Sequence, residues 1–162
     1  MTSVPPTNGA VRSRPRLRLR LKPNTSATGH VDGAWWPRSR CVTTELAALA
    51  EALAGRLGRV ERVAYALSSW DDAPRRFRLS GHLARLEGFT YQDRNVVHLT
   101  GANHGRVTLL VVPPEMTAVA GRAAMMTAAH GGNADRPEEI LAAAIVPVPR
   151  RERRPTQQGE VR

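Results

Sequence analysis

Residues 16–22, Arg-Leu-Arg-Leu-Arg-Leu-Lys, alternate charged and apolar side chains without interruption. Successive strand residues point to opposite faces, so Leu17, Leu19 and Leu21 would meet a core while Arg16, Arg18, Arg20 and Lys22 meet water. The pattern predicts a strand whose arginine face guards it against pairing with another molecule. Pro23 to Gly29 reads as a loop, and a short irregular strand follows, ending at Pro37. The period then changes. Leu46, Leu49, Ala50, Leu53 and Leu57 recur at three- and four-residue spacing, predicting a helix capped by Thr43 or Thr44. Glu45 suits the dipole of its first turn, and Gly58 ends it.

Beyond Arg59 the two-residue period returns, with Val63, Tyr65 and Leu67 on one face. Residues 70–74, Trp-Asp-Asp-Ala-Pro, form a turn, and Phe77 and Leu79 point inward between Arg76 and Arg78. Ser80-Gly81 fits either a tight hairpin turn or a bend in one strand reaching Phe89. Val97 and Leu99 continue the alternation to a hairpin loop at Gly101–Gly105. Val107 to Val112 is apolar on both faces, which predicts a central or doubly covered strand. After Pro113-Pro114, residues 115–129 predict a helix with Val119, Ala123 and Met126 on one side. Gly131-Gly132-Asn133 breaks it, and Asp135 and Glu138, at capping-box spacing, open a short helix to about Ala144. This order predicts an α+β domain, a mostly antiparallel sheet of about five to seven strands with helices packed on one face. The other face would collect Arg18, Arg20, Arg62, Arg76 and Arg78, with His82 and His98, as a cationic platform.

Composition sets the limits. The 162 residues suffice for one domain over 16–146, between a disordered N-terminal tail at 1–15 and a disordered basic C-terminal tail at 147–162. Aromatics make up 4% of the chain, so the core is left to Val, Leu and Ala. The formal net charge is +10, but only Lys22 among the 24 basic residues is a lysine, a skew that GC-rich coding alone produces. The first 14 residues carry two of those charges net and residues 146–162 carry three, leaving about +5 for the folded part. No apolar run approaches a membrane span, no secretory pattern opens the chain, and Cys41 is its single cysteine. A cytoplasmic location without membrane contact is the expectation.

Candidate chemistry centres on residues 31–39, Val-Asp-Gly-Ala-Trp-Trp-Pro-Arg-Ser, which hold two of the three tryptophans. The functional reading is a shallow pocket where His30, Asp32, Trp35, Trp36, Arg38 and Ser39 meet an anionic or planar ligand. Arginine offers a forked donor there and tryptophan a stacking face. The alternative is that Trp35 and Trp36, pointing opposite ways, simply fill two parts of the core. His30, His82, His98, His104 and His130 have no metal-ligand spacing, and Cys41, Ser39 and Ser69 have no identifiable base or elbow motif. No metal, cofactor or catalytic residue is therefore expected.

A family resemblance rests on Arg16-Leu-Arg-Leu-Arg-Leu-Lys-Pro, on Gly29-His-Val-Asp-Gly-Ala-Trp-Trp-Pro-Arg-Ser and on Val60-Glu-Arg-Val. Leu109-Leu-Val-Val-Pro-Pro-Glu, Gly132-Asn-Ala-Asp and Glu138-Glu-Ile-Leu add to it. These blocks resemble a family of small actinobacterial proteins known as a domain of unknown function, over about residues 16–143. The resemblance implies a GC-rich actinobacterial source and brings no reaction or cofactor. The function expected is non-catalytic binding of an anionic or small planar ligand at the tryptophan block. Alternatives are a nucleic-acid-binding accessory protein, with phosphates on the tails and sheet, and a small hydrolase using the same pocket.

Overall fold

The segment with apolar side chains on both faces is covered on both. Leu109 belongs to one hydrophobic cluster and Leu110 to another, on opposite sides of the sheet, since adjacent strand residues point opposite ways. The computed structural model describes residues 16–23, 29–79 and 81–145. The tails expected at 1–15 and 147–162, and most of the loop before Gly29, lie outside the described residues. In chain order the elements are β1 (Leu19–Leu21), β2 (Gly33–Trp35), α1 (Val42–Leu57), β3 (Val60–Ala66) and a 3-10 turn (Leu67–Ser69). Then come β4 (Arg76–Leu79), β5 (His82–Phe89), β6 (Val96–Gly101), β7 (Arg106–Val111), α2 (Ala118–Ala129) and α3 (Pro137–Ile145). Among the described residues no helix is long and apolar enough to cross a membrane.

The strands form one sheet in the order β1-β2-β7-β6-β3-β5-β4. Most neighbouring pairs are antiparallel, but β2 with β7 and β3 with β5 run parallel, so the sheet is mixed, not mostly antiparallel as expected. Both parallel contacts join strands that are not consecutive, which local periodicity does not register. β4 takes the sheet edge, and the chain turns back between Leu79 and His82 to lay β5 beside β3. Leu79 pairs with His82 across that turn, so it is a hairpin; Gly81 adopts φ +87°, a region that favours glycine.

The helices are divided between the two faces, which corrects the one-sided layer expected from the sequence. α1 buries Leu46, Leu49, Leu53 and Leu57 against Val63, Leu99, Leu109 and Trp35. α2 and α3 bury Ala124, Ala128 and Ile140 with Ala34, Trp36 and Leu110 on the other side. The cause lies in β2 and the residue after it: Ala34, Trp35 and Trp36 are consecutive and all buried, so both faces need cover there. α2 packs through Ala120, Gly121, Ala124, Met125 and Ala128, leaving Val119 and Met126 exposed. Small residues face the sheet because the Trp36 ring fills the space above Gly121.

The helix ends depart from expectation by a residue or two. Cys41, not Thr43 or Thr44, is the N-cap of α1, while the Gly58 N–H closes its C-terminus on the Ala54 carbonyl at 2.8 Å. At α3, Glu139 rather than Glu138 reaches back, accepting from the Arg136 N–H at 3.0 Å. Lys22, expected in water, is buried, and its ammonium donates to the Asn133 carbonyl at 2.8 Å. Gly29 lies beside both groups, where any side chain would displace them.

Candidate functional site

The tryptophan block is built into the fold from both sides. Gly33 lets β2 approach β1 closely, since a Cβ there would meet the Arg20 carbonyl. Asp32 ties three strands: its carboxylate accepts from the Thr108 N–H at 2.8 Å, its own N–H donates to the Thr108 carbonyl, and its carbonyl accepts from Lys22 N–H. Trp35 is fully buried on the α1 side, stacked on Trp70 with ring centroids 5.3 Å apart. Trp36 is buried on the α2 side, where its indole N–H donates to the Pro113 carbonyl at 3.1 Å. The Arg18 guanidinium covers its ring at 3.7 Å and donates to the carbonyls of Trp36 and Pro37. Arg38 is exposed and donates to the Arg16 carbonyl; Ser39 donates to Glu45 at 2.9 Å; His30 is exposed. These six residues therefore do not converge on one pocket.

What lies next to the block is a cleft of about 440 Å³ at the carboxyl ends of β2, β7 and β3. Pro37, Ser39, Arg40, Ser69, Trp70 and Asn95 contribute to its walls. Much of its polar lining is already engaged: Arg40 donates to the Ser69 carbonyl and pairs with Glu115, and Ser69 donates to the Arg94 carbonyl at 2.6 Å. Nearby, hydrogen bonds with the Thr43 and Thr44 hydroxyls hold the Cys41 thiol pKa below its usual range. Among the described residues no group of three or more His, Cys, Asp and Glu could hold a metal ion.

The second region is the part of the sheet that α2 and α3 leave open, formed by β6, β3, β5 and β4 together with the exposed first residue of β7, Arg106. Here the register aligns charges across strands. Arg76 pairs with Arg85, Arg85 with Arg62, Arg62 with Thr100, and Thr100 with Arg106. At about 4.8 Å between strands, the backbone positions of four arginines occupy one row roughly 19 Å long. Glu87, one pleat further on, accepts from Arg62 Nε at 2.7 Å and lies 3.9 Å from Arg85. Beyond it the floor drops over Ala64 into a shallow basin of about 370 Å³, bordered by Arg62, Phe89, Tyr91, His98 and Arg106. Tyr91 is fully exposed and Phe89 is 43% exposed. Burial, then the Arg106 charge, lowers the His98 pKa, while its Nδ1 meets Thr108 Oγ1 at 2.9 Å.

Of the arginines expected on a single platform, Arg62, Arg76 and Arg78 occupy this open half. Arg18 and Arg20 do not: they sit just before β1 and on it, at the opposite sheet edge, on the side α2 packs against. His82 also turns away; it shares a face with Leu79 and meets the Val60 carbonyl at 2.9 Å. The platform is thus split, because helices cover the β1-β2-β7 half of the face on which it was expected. Sequence reasoning missed Arg85 and Arg106. Leu83-Ala84-Arg85-Leu86 has no clear two-residue period to give Arg85 a direction, and only the parallel pairing of β5 with β3 sets it beside Arg62.

Compared with known proteins, residues 18–128 match the model of DUF5994, described as a family of unknown function. The segment is shorter than the 16–143 expected, ending just before the end of α2. No curated protein and no solved structure matches the chain significantly.

Proposed function

The chain belongs to the family of unknown function DUF5994, which brings no activity with it, and from the geometry we propose that it acts by binding a polyanion on the helix-free half of its sheet. The observation that carries this is the guanidinium row, Arg76, Arg85, Arg62 and Arg106, aligned across five strands with Thr100 between the last two. Like charges directly opposite each other destabilise a sheet. Glu87 is shared by Arg62 and Arg85, and a bound polyanion supplies the countercharge that the row lacks. The overall charge of +10 adds attraction at long range.

The test uses the full chain, because the terminal arginines also attract anions. Heparin and duplex DNA should bind at low salt, with affinity falling linearly on a log scale as salt rises. Replacing Arg76 and Arg85 by Ser should flatten that slope by about one to two, with the fold kept since the change removes repulsion. Failure of the full chain to bind any polyanion at low salt overturns the reading, as does an unchanged slope in the double variant.

A second reading keeps the ligand near the tryptophan block, as a small anion in the cleft edged by Ser39 and Arg40. Its volume, about 440 Å³, suits a small molecule, and the carboxyl ends of parallel neighbours are a common binding place. Trp70 lines the cleft, so tryptophan emission should change on titration with phosphate or carboxylate anions. A flat response removes this reading.

A further inference from the structure

We infer that the polyanion is a single-stranded nucleic acid, its phosphates along the arginine row and its unstacked bases in the basin over Ala64 against Phe89 and Tyr91. The inference rests on the polyanion reading and adds to it the identity of the partner. A ligand that offers only charge, such as a sulfated polysaccharide or a closed duplex, would engage the row alone. The basin would then be idle. Yet two of the chain's four phenylalanines and tyrosines stand exposed there, in a protein that buries all three of its tryptophans. Exposed rings beside guanidiniums, over a floor of small side chains, match what unpaired bases offer: flat apolar faces joined by a charged backbone.

Local structure supports this arrangement. Ala64 lies between Glu87 and His98 in register, and its small side chain keeps the floor low one pleat from Arg62. The Gln92 amide donates to the carbonyls of Ala64 and Val96, at 3.1 and 3.0 Å, pinning the segment that carries Tyr91 against the strand ends. Arg62 and Arg106 thus border the basin on one side and Phe89 and Tyr91 on the other. In a duplex the bases are paired and stacked inside, so the rings could reach them only after melting.

Labelled 20-nucleotide single strands of DNA and of RNA, the matching duplex, and heparin are titrated against the full-length protein at fixed salt. Single strands should bind about tenfold tighter than duplex of equal length. The Phe89→Ala, Tyr91→Ala double variant should lose about 5- to 150-fold on single strands for each base it unstacks, the range that base–aromatic stacking supplies, and nothing on heparin. Comparing the DNA and RNA arms identifies which strand is preferred. Tyr91→Ala alone, at a fully exposed position, provides the same readout should the double variant not fold. Equal binding of single strand and duplex, or equal loss on heparin in the aromatic variant, overturns the inference and leaves the polyanion reading intact. Absence of binding to every polyanion fails the polyanion reading itself. Binding to phosphatidylserine vesicles that needs the two rings, with no single-strand preference, assigns the surface to a lipid headgroup layer and also overturns it.

Discussion

Gly121 illustrates how residues at this scale serve one another. It is buried in α2 with the Trp36 ring where a Cβ would go, and that same ring carries the Arg18 guanidinium. Glycine to alanine in a helix interior ordinarily stabilises by about 1 kcal/mol. Here the added Cβ would strike the indole, so Gly121→Ala should instead cost about 1–3 kcal/mol; urea unfolding followed by tryptophan emission measures the sign. His98 supplies a pH effect. Its folded pKa lies below the ordinary histidine value of about 6.5, through burial first and Arg106 second. The unfolded chain therefore takes up the proton more readily, and the stability this group contributes is full above the ordinary value. It is lost as pH falls from there through the folded value. Melting temperatures should drop on acidification through that window, and His98→Asn should make the drop shallower.

At the scale of elements, β5 decides the character of the open face. One side of it sends Ala84 and Leu86 into the α1 core, and the other displays Arg85, Glu87 and Phe89. Glu87 serves as partner to two arginines at once. Glu87→Gln should lower stability by about 0.2–1 kcal/mol, the usual worth of such exposed pairs. The same substitution should tighten heparin binding, because it leaves the row with less countercharge. Calorimetry and a heparin titration on the same variant check the two opposed effects together. An unchanged affinity would argue that the row is not the binding surface. The element also decides between a hairpin and a bend, since Leu79 pairs with His82 and makes β4 and β5 a hairpin.

For the whole molecule, the two-sided arrangement is the governing feature. A single helix over one face and two over half of the other leave one surface open, and its chemistry is what remains visible to a partner. α3 extends beyond the segment shared with the family, residues 18–128, yet Ile140 and Leu141 are buried in the cluster that encloses Trp36. Ile140→Ala should therefore cost about 2–5 kcal/mol, as for any large core truncation. A loss near zero in chemical denaturation would mean that α3 is dispensable to the core.

The residues themselves determined the strands and helices, because a period of two or of 3.6 is written in the side chains and requires no partner. They determined that Val107 to Val112 would be covered twice, and that adjacent tryptophans would separate. They also made the outward direction of Arg62, Arg76 and Arg78 legible. Tertiary structure alone decided which strands run parallel, on which face each helix lands, and that Arg62, Arg76, Arg85 and Arg106 fall in one row while Arg18 clasps Trp36 at the far edge. Periodicity records a side chain's direction relative to its own backbone. Which neighbour it then meets depends on contacts between residues far apart in the chain, and these form only as the two cores close.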